Sequence, residues 1–153
     1  MTPDDAAILR RLLDQRVLSL GVIIDGAPYV GLLPFAVTED RQTLVVHASG
    51  LAKHTRGLGD GAPWSALIHF PDDPRGDLLQ IGRVTLSGEV LRLAEGTPAH
   101  DAAKARFLAR FPESAQTFEL GDFGLYALRI REGRLVAGFA RARNVSPGDV
   151  ASI

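Results

Sequence analysis

The sequence predicts a mainly β (α+β) protein, a small antiparallel barrel with flanking helices. Three observations carry this. Apolar, β-branched runs recur along the chain, joined by short turns of glycine, proline and acidic residues. Helical spacing appears only at the start and once after the longest strand. The 153 residues are 46% hydrophobic and 23% charged, with no repeat or linker, so they form a single domain, 1–153, with a substantial core.

Thr2-Pro3 followed by Asp4 and Asp5 opens the first helix: a cap, a proline at the first turn, then acids at the positive end of the dipole. Ile8, Leu9, Leu12 and Leu13 share one face of it. Val17 to Ile24 reads as a buried strand, Asp25-Gly26 as a hairpin turn, and Tyr29 to Val37 as the returning strand. The polar segment Glu39 to Gln42 leads into a strand at Thr43 to Ala48, and Trp64 to Phe70 is a fourth. Pro71 to Gly76 is a loop of turn formers. From Gln80 to Leu93 a long strand alternates Val84, Leu86 and Val90 with Thr85, Ser87 and Glu89, and Gly88 marks a bulge or bend. Thr97-Pro98 opens a second helix with Ala103, Phe107 and Phe111 on one stripe, and Pro112 closes it. Phe123 to Arg131 and Leu135 to Ala140 are the last strands, around a turn at Glu132-Gly133.

Composition narrows the function. The formal net charge of −1 supplies no field that draws nucleic acid or an anionic membrane, so neither is an expected partner. The absence of cysteine excludes a disulfide scaffold, a thiolate metal site and a cysteine nucleophile. Ser19, Ser65 and Ser87 lack a Gly-x-Ser-x-Gly context, which disfavours a serine hydrolase. His69 and His100 lie too far apart for a metal motif, and no metal site is expected. The acidic start Met1-Thr-Pro-Asp-Asp5 is not a secretory signal, which makes the cytoplasm the expected compartment.

The chemistry concentrates in Ser49-Gly-Leu-Ala-Lys-His-Thr-Arg56. It offers two hydroxyls (Ser49, Thr55), two fixed cations (Lys53, Arg56), one imidazole (His54) and flexible glycine. That is equipment for gripping a phosphate: donors for its oxygens, cations for its charge, and a short helical turn after Ser49 as N-cap. A capped surface turn with solvated charges would carry the same letters.

These residues, taken in order, resemble the pyridoxamine 5′-phosphate oxidase-like FMN-binding split-barrel superfamily, in the branch related to haem-utilisation proteins. The resemblance rests on Arg16-Val-Leu-Ser-Leu20, Asp25-Gly-Ala-Pro-Tyr29, Pro34-Phe35, the Ser49–Arg56 segment and Arg83-Val-Thr-Leu-Ser-Gly88. It continues through Phe111-Pro112, Asp122-Phe123-Gly-Leu-Tyr126 and Gly138-Phe139-Ala140. It implies a six-stranded antiparallel split β-barrel working as a homodimer, with FMN at the subunit interface and a small-molecule redox substrate. Lys53 and His54 match the phosphate-binding pair, with Ser49, Thr55 and Arg56 beside them. The backbone of Val30, Gly31, Leu32 and Leu33 would run along the flavin ring.

The function implied is an FMN-dependent oxidoreductase, with no catalytic side chain evident. Departures exist. Gly31 offers only backbone where relatives carry arginine or serine, and His54 stands where the oxidases have lysine, which makes phosphate binding pH-dependent. The substrate-holding arginine-histidine pair has no counterpart, so pyridoxamine phosphate oxidation is not implied. Alternatives on the same fold are a haem-binding or haem-degrading protein, a non-enzymatic flavin carrier, and a deazaflavin (F420) user. No histidine follows His100, so a C-terminal axial histidine is absent, which weighs against the haem reading and leaves only His54 or His69 for it. His47 could face the flavin, but a satisfied strand histidine is the better expectation. Trp64 is expected in the core or a dimer interface. Arg129, Arg131, Arg134, Arg141 and Arg143 read first as a solvated face and second as anchors for an anionic cofactor.

Overall fold

Eight strands form one antiparallel sheet in the computed structural model, which describes residues 1–153. They are β1 (Val17–Ile24), β2 (Ala27–Pro34), β3 (Ala36–Val37), β4 (Thr43–Ser49), β5 (Pro63–His69), β6 (Arg83–Leu93), β7 (Phe123–Gly138) and β8 (Arg141–Val145). The hydrogen-bonded order is β2-β1-β5-β6-β7-β4-β3, with β8 paired to β7. Helices α1 (Pro3–Leu13), α2 (Pro98–Arg110), α3 (Ala115–Phe118) and α4 (Pro147–Ala151) flank it.

The resemblance implies six strands and the turn signals mark seven; the sheet has eight, and the element-by-element reading differs from it for two reasons. The predicted strand Tyr29–Val37 is broken at Phe35, whose side chain is fully buried and whose N–H makes the last bond on the β1 side, to the Arg16 carbonyl at 3.2 Å, before Ala36 and Val37 pair with β4 instead. The two ends of the sheet path are therefore consecutive segments of chain. The second reason lies in β7, which runs straight through Glu132-Gly133 instead of turning there. Gly133 is needed for close approach: a Cβ there would lie 2.7 Å from the Leu86 side chain. The chain turns at Phe139-Ala140, with Ala140 at φ +58°, and β8 returns along β7. Gly88 does mark a bulge. The β6–β7 register shifts between Ser87 and Gly88, and a Cβ at Gly88 would lie 1.8 Å from the Arg129 carbonyl oxygen.

The hairpin turn forms as its letters predict. Asp25 and Gly26 both take positive φ, +52° and +78°, as a two-residue turn with matching twist requires. Thr2 caps α1 by accepting from the Asp5 N–H at 3.1 Å. Leu9, Leu12 and Leu13 then bury against the sheet interior, where each buried leucine contributes about 1.5–3 kcal/mol, while Ile8 is half-buried. A second, smaller cluster of Ala36, Val45, Ala103, Phe107, Phe111 and Leu125 seats α2 on the outside of β4 and β7. The C-terminal α4 is held by a capping box between Ser146 and Asp149.

Candidate functional site

The Lys53–Gly57 segment folds as a 3-10 turn beginning after Ala52, so Ser49 is not its N-cap. Ser49 Oγ instead accepts from the Leu51 N–H at 3.1 Å and donates to Asp122 Oδ2 at 2.9 Å. The Thr55 hydroxyl donates to the Ser49 carbonyl at 2.5 Å. Both hydroxyls expected to face a phosphate are thus engaged inside the chain, one of them with a carboxylate.

Glycine lets this turn sit on the hairpin. A Cβ at Gly57 would lie 2.6 Å from the Val22 side chain, and one at Gly31 would lie 2.8 Å from His54 Nδ1. Gly31 and His54, assigned to one site from the sequence, are indeed neighbours. Lys53 Nζ lies 4.8 Å from the centre of the Tyr29 ring, a cation–π contact. Arg56 donates to Asp25 in the hairpin turn at 2.7 Å. His54 is packed in, with Nε2 buried and unpartnered, and burial lowers its pKa, so the ring is neutral at pH 7 and is not a third cation. Val30 and Leu32 point outward and are exposed, whereas the Leu33 side chain is buried in the core. Only β1 pairs with β2, so its other edge keeps unpaired backbone groups.

The outward face of this region is unusual for its lack of charge. Cross-strand rows run Pro28-Ile23, Val30-Gly21-Ser65 and Leu32-Ser19-Leu67, and Val17 opposes Pro34. Val17, Ile23, Val30, Leu32 and Leu67 are all exposed. At one edge of the face, Val17, Leu32 and Leu67 join His69 around a cavity of about 160 Å³. His69 Nδ1 lies 2.6 Å from the Phe70 carbonyl oxygen. A carbonyl only accepts, so the ring proton is on Nδ1 and the Nε2 lone pair is left free.

His47 does not face this region. It is buried beneath α2 and α3, stacked on Phe118 at 3.8 Å, tilted to Phe123 at 4.9 Å and edge-on to Phe107 at 5.8 Å. Burial pushes its pKa down to about 4, helped by His100 and Lys104. Trp64 is in the core. The C-terminal arginines are engaged locally. Arg131 donates to Glu89 at 2.7 Å, Arg134 to Asn144 at 2.8 Å and Arg141 to Asp5 at 2.7 Å. Arg129 and Arg143 lie 4.0 and 3.7 Å from Glu89 and Asp5.

No protein-family model and no curated protein matches the sequence. Solved structures do match the fold. A haem-binding protein from Mycobacterium smegmatis superposes with a TM-score of 0.85 at 24% identity, over 99% of this chain and 62% of that one. The haem storage protein HutZ from Vibrio cholerae gives a TM-score of 0.70 at 21% identity, over 80% of this chain and 87% of HutZ. A Clostridium acetobutylicum protein of the pyridoxinephosphate oxidase family, related to general stress protein 26, gives 0.68 at 10% identity, over 98% and 99%. The chain thus spans under two thirds of the first of these proteins. It has the fold of the pyridoxamine 5′-phosphate oxidase-like split-barrel proteins, and its structural matches include the haem-binding branch of that group. No helix is long and apolar enough to cross a membrane.

Proposed function

We propose that this protein binds haem on the outward face of β2, β1 and β5, with His69 as axial ligand, and that it is a binding protein before it is an enzyme. The observation that carries this is the His69 ring. A metal-ligating histidine characteristically gives its second ring N–H to a carbonyl or carboxylate, and His69 gives Nδ1–H to Phe70. Val17, Leu32 and Leu67 supply the apolar wall that a porphyrin face needs. The haem-binding and haem-storage functions of two matched structures support the same class of ligand. When bound, the group supplies a redox-active iron. Among the side chains lining the cavity, His69 alone is of an acid–base type.

The exposed apolar rows support a homodimer, with the ligand in the cleft between two copies that complete a split barrel. FMN is the second reading, and a specific observation favours it: Gly31 makes room for the Lys53–Arg56 turn directly beside β2. Against it stand the chain's own acids, since Asp122 holds Ser49 and Asp25 holds Arg56. A flavin phosphate would have to displace both.

Titration with haemin, followed by the Soret band, tests the proposal. Stoichiometric binding is expected, weakened at least about tenfold in His69→Ala and little changed in His54→Ala. Haemin binding that is equal in wild type and His69→Ala overturns the assignment. Purified protein carrying flavin absorbance, released on denaturation as FMN, moves the function to the second reading.

A further inference from the structure

A second cavity, of about 530 Å³, lies between α1, α2 and the turn that joins β3 to β4. It shares no residue with the His69 cavity or with the Ser49–Arg56 segment. Four guanidinium groups line it, from Arg10, Arg41, Arg106 and Arg110, against one side-chain carboxylate, Asp14. The remaining wall is apolar or small, and includes Ile153.

Two of these arginines are anchored. Arg110 donates to the Leu13 carbonyl at 3.2 Å, to the Asp14 carbonyl at 2.7 Å and to the Gln15 carbonyl, and its guanidinium covers the Phe35 ring at 5.1 Å. It thereby satisfies orphan carbonyls at the end of α1. Arg106 gives only Nε, to the Val37 carbonyl at 3.0 Å, which leaves both of its Nη groups available. The Arg10 and Arg41 side chains make no hydrogen bond or ion pair within the protein; only their backbones bond, Arg41 N–H to the Thr38 carbonyl and the Arg10 carbonyl to Asp14 N–H. The acid next to Arg41 does not neutralise it. Asp40 is turned into its own loop, accepting from the Thr38 hydroxyl at 2.6 Å and the Gln42 N–H at 3.0 Å.

Arginines held together with so little countercharge repel one another, and no acidic side chain other than Asp14 lines the cavity. We propose that the cavity is a binding site for a small polyanion, a molecule carrying two or more closely spaced phosphate or carboxylate charges. The planar fork of arginine suits both groups, and charge-assisted bonds to such forks are among the strongest available to a protein. The partly apolar wall lowers the local dielectric and strengthens each of them. The volume falls in the range of small-molecule sites.

The test uses the full chain, with pyrophosphate and citrate as probes and chloride at equal ionic strength as the control. Calorimetry on wild type should show binding of one or both probes, weakened at least about tenfold in the double variant Arg10→Gln/Arg41→Gln. Both side chains are exposed and unpaired, so this variant should fold. Its melting temperature without added anion should equal or exceed that of wild type, because repulsion is relieved. The stronger probe identifies phosphate or carboxylate as the natural group. Binding lost in Lys53→Ala/Arg56→Ala but kept in Arg10→Gln/Arg41→Gln places the anion on the other loop and overturns the proposal. So does the absence of binding by either probe. Haemin titration of the same double variant should match wild type, which separates this site from the His69 assignment.

Discussion

One sheet carries two opposite surfaces. Followed outward from β2, a single cross-strand row reads Leu32, Ser19, Leu67, then Thr85, Arg134 and Asn144. The first half, on β2, β1 and β5, is apolar and has nothing on it. The second, on β6, β7 and β8, is charged and internally paired: Arg131 and Arg129 meet Glu89, Ser87 meets Glu132 at 3.3 Å, and Arg134 meets Asn144. A charged face that satisfies itself needs only water. An apolar face of this breadth is incomplete, because water is a poor partner for it. The half proposed to bind a ligand and a second copy is therefore the half with the fewest polar groups.

That contrast can be broken from either side. The largest effect is expected at the bulge that brings Glu89 within reach of the β7 arginines. Gly88→Ala drives a Cβ into the Arg129 carbonyl, and chemical denaturation should show a loss of about 3 kcal/mol. Next comes the apolar half. Leu32→Asp should leave the unfolding temperature nearly unchanged, because the side chain faces outward, yet raise the dimer dissociation constant about a hundredfold, or about 2.8 kcal/mol, in sedimentation equilibrium. A wild-type monomer at high concentration would remove the reason for the contrast.

Acid should act on neither face but on the interior. His47 titrates near 4 when folded and near its ordinary 6.5 when unfolded, so the unfolded chain binds the proton more readily. Stability should be complete above pH 6.5, decline on the order of 2 kcal/mol as pH falls towards 4, and level off below. His47→Phe should flatten that slope. The smallest effect is expected on the charged half. Glu89→Gln removes a partly exposed acid whose pKa is held low by Arg131, and thermal unfolding should barely move, since surface pairs contribute little.

The sequence made the hairpin, the α1 cap and the Gly88 bulge legible, since each depends on letters within a few positions of one another. It also grouped Gly31 with His54, and the two are neighbours in the fold. It misplaced the last strand because a glycine that permits close approach, Gly133, is written like a glycine that turns. The four residues of α3 are too few to show a period. His69 was visible as a residue, but its meaning depends on Val17 and Leu32 arriving from other strands. The arginine cavity is the extreme case, assembled from positions 10, 41, 106 and 110. Ser49 and Arg56 were read as free donors because their partners, Asp122 and Asp25, lie 73 and 31 positions away.

The Asp5 carboxylate, held below the usual range by its Thr2 hydrogen bond and by Arg141, is joined to a strand 136 positions downstream. For a chain emerging from the ribosome, this sets an order of events. The first helix leaves the exit tunnel with Leu9, Leu12 and Leu13 in water. Arg141, which fastens it, is made 136 positions after Asp5, and the β7 strand beneath it only shortly before. Until then its apolar stripe is open to any other surface in the cell. This protein should depend on holdase chaperones during synthesis far more than during refolding, where both segments are present from the start.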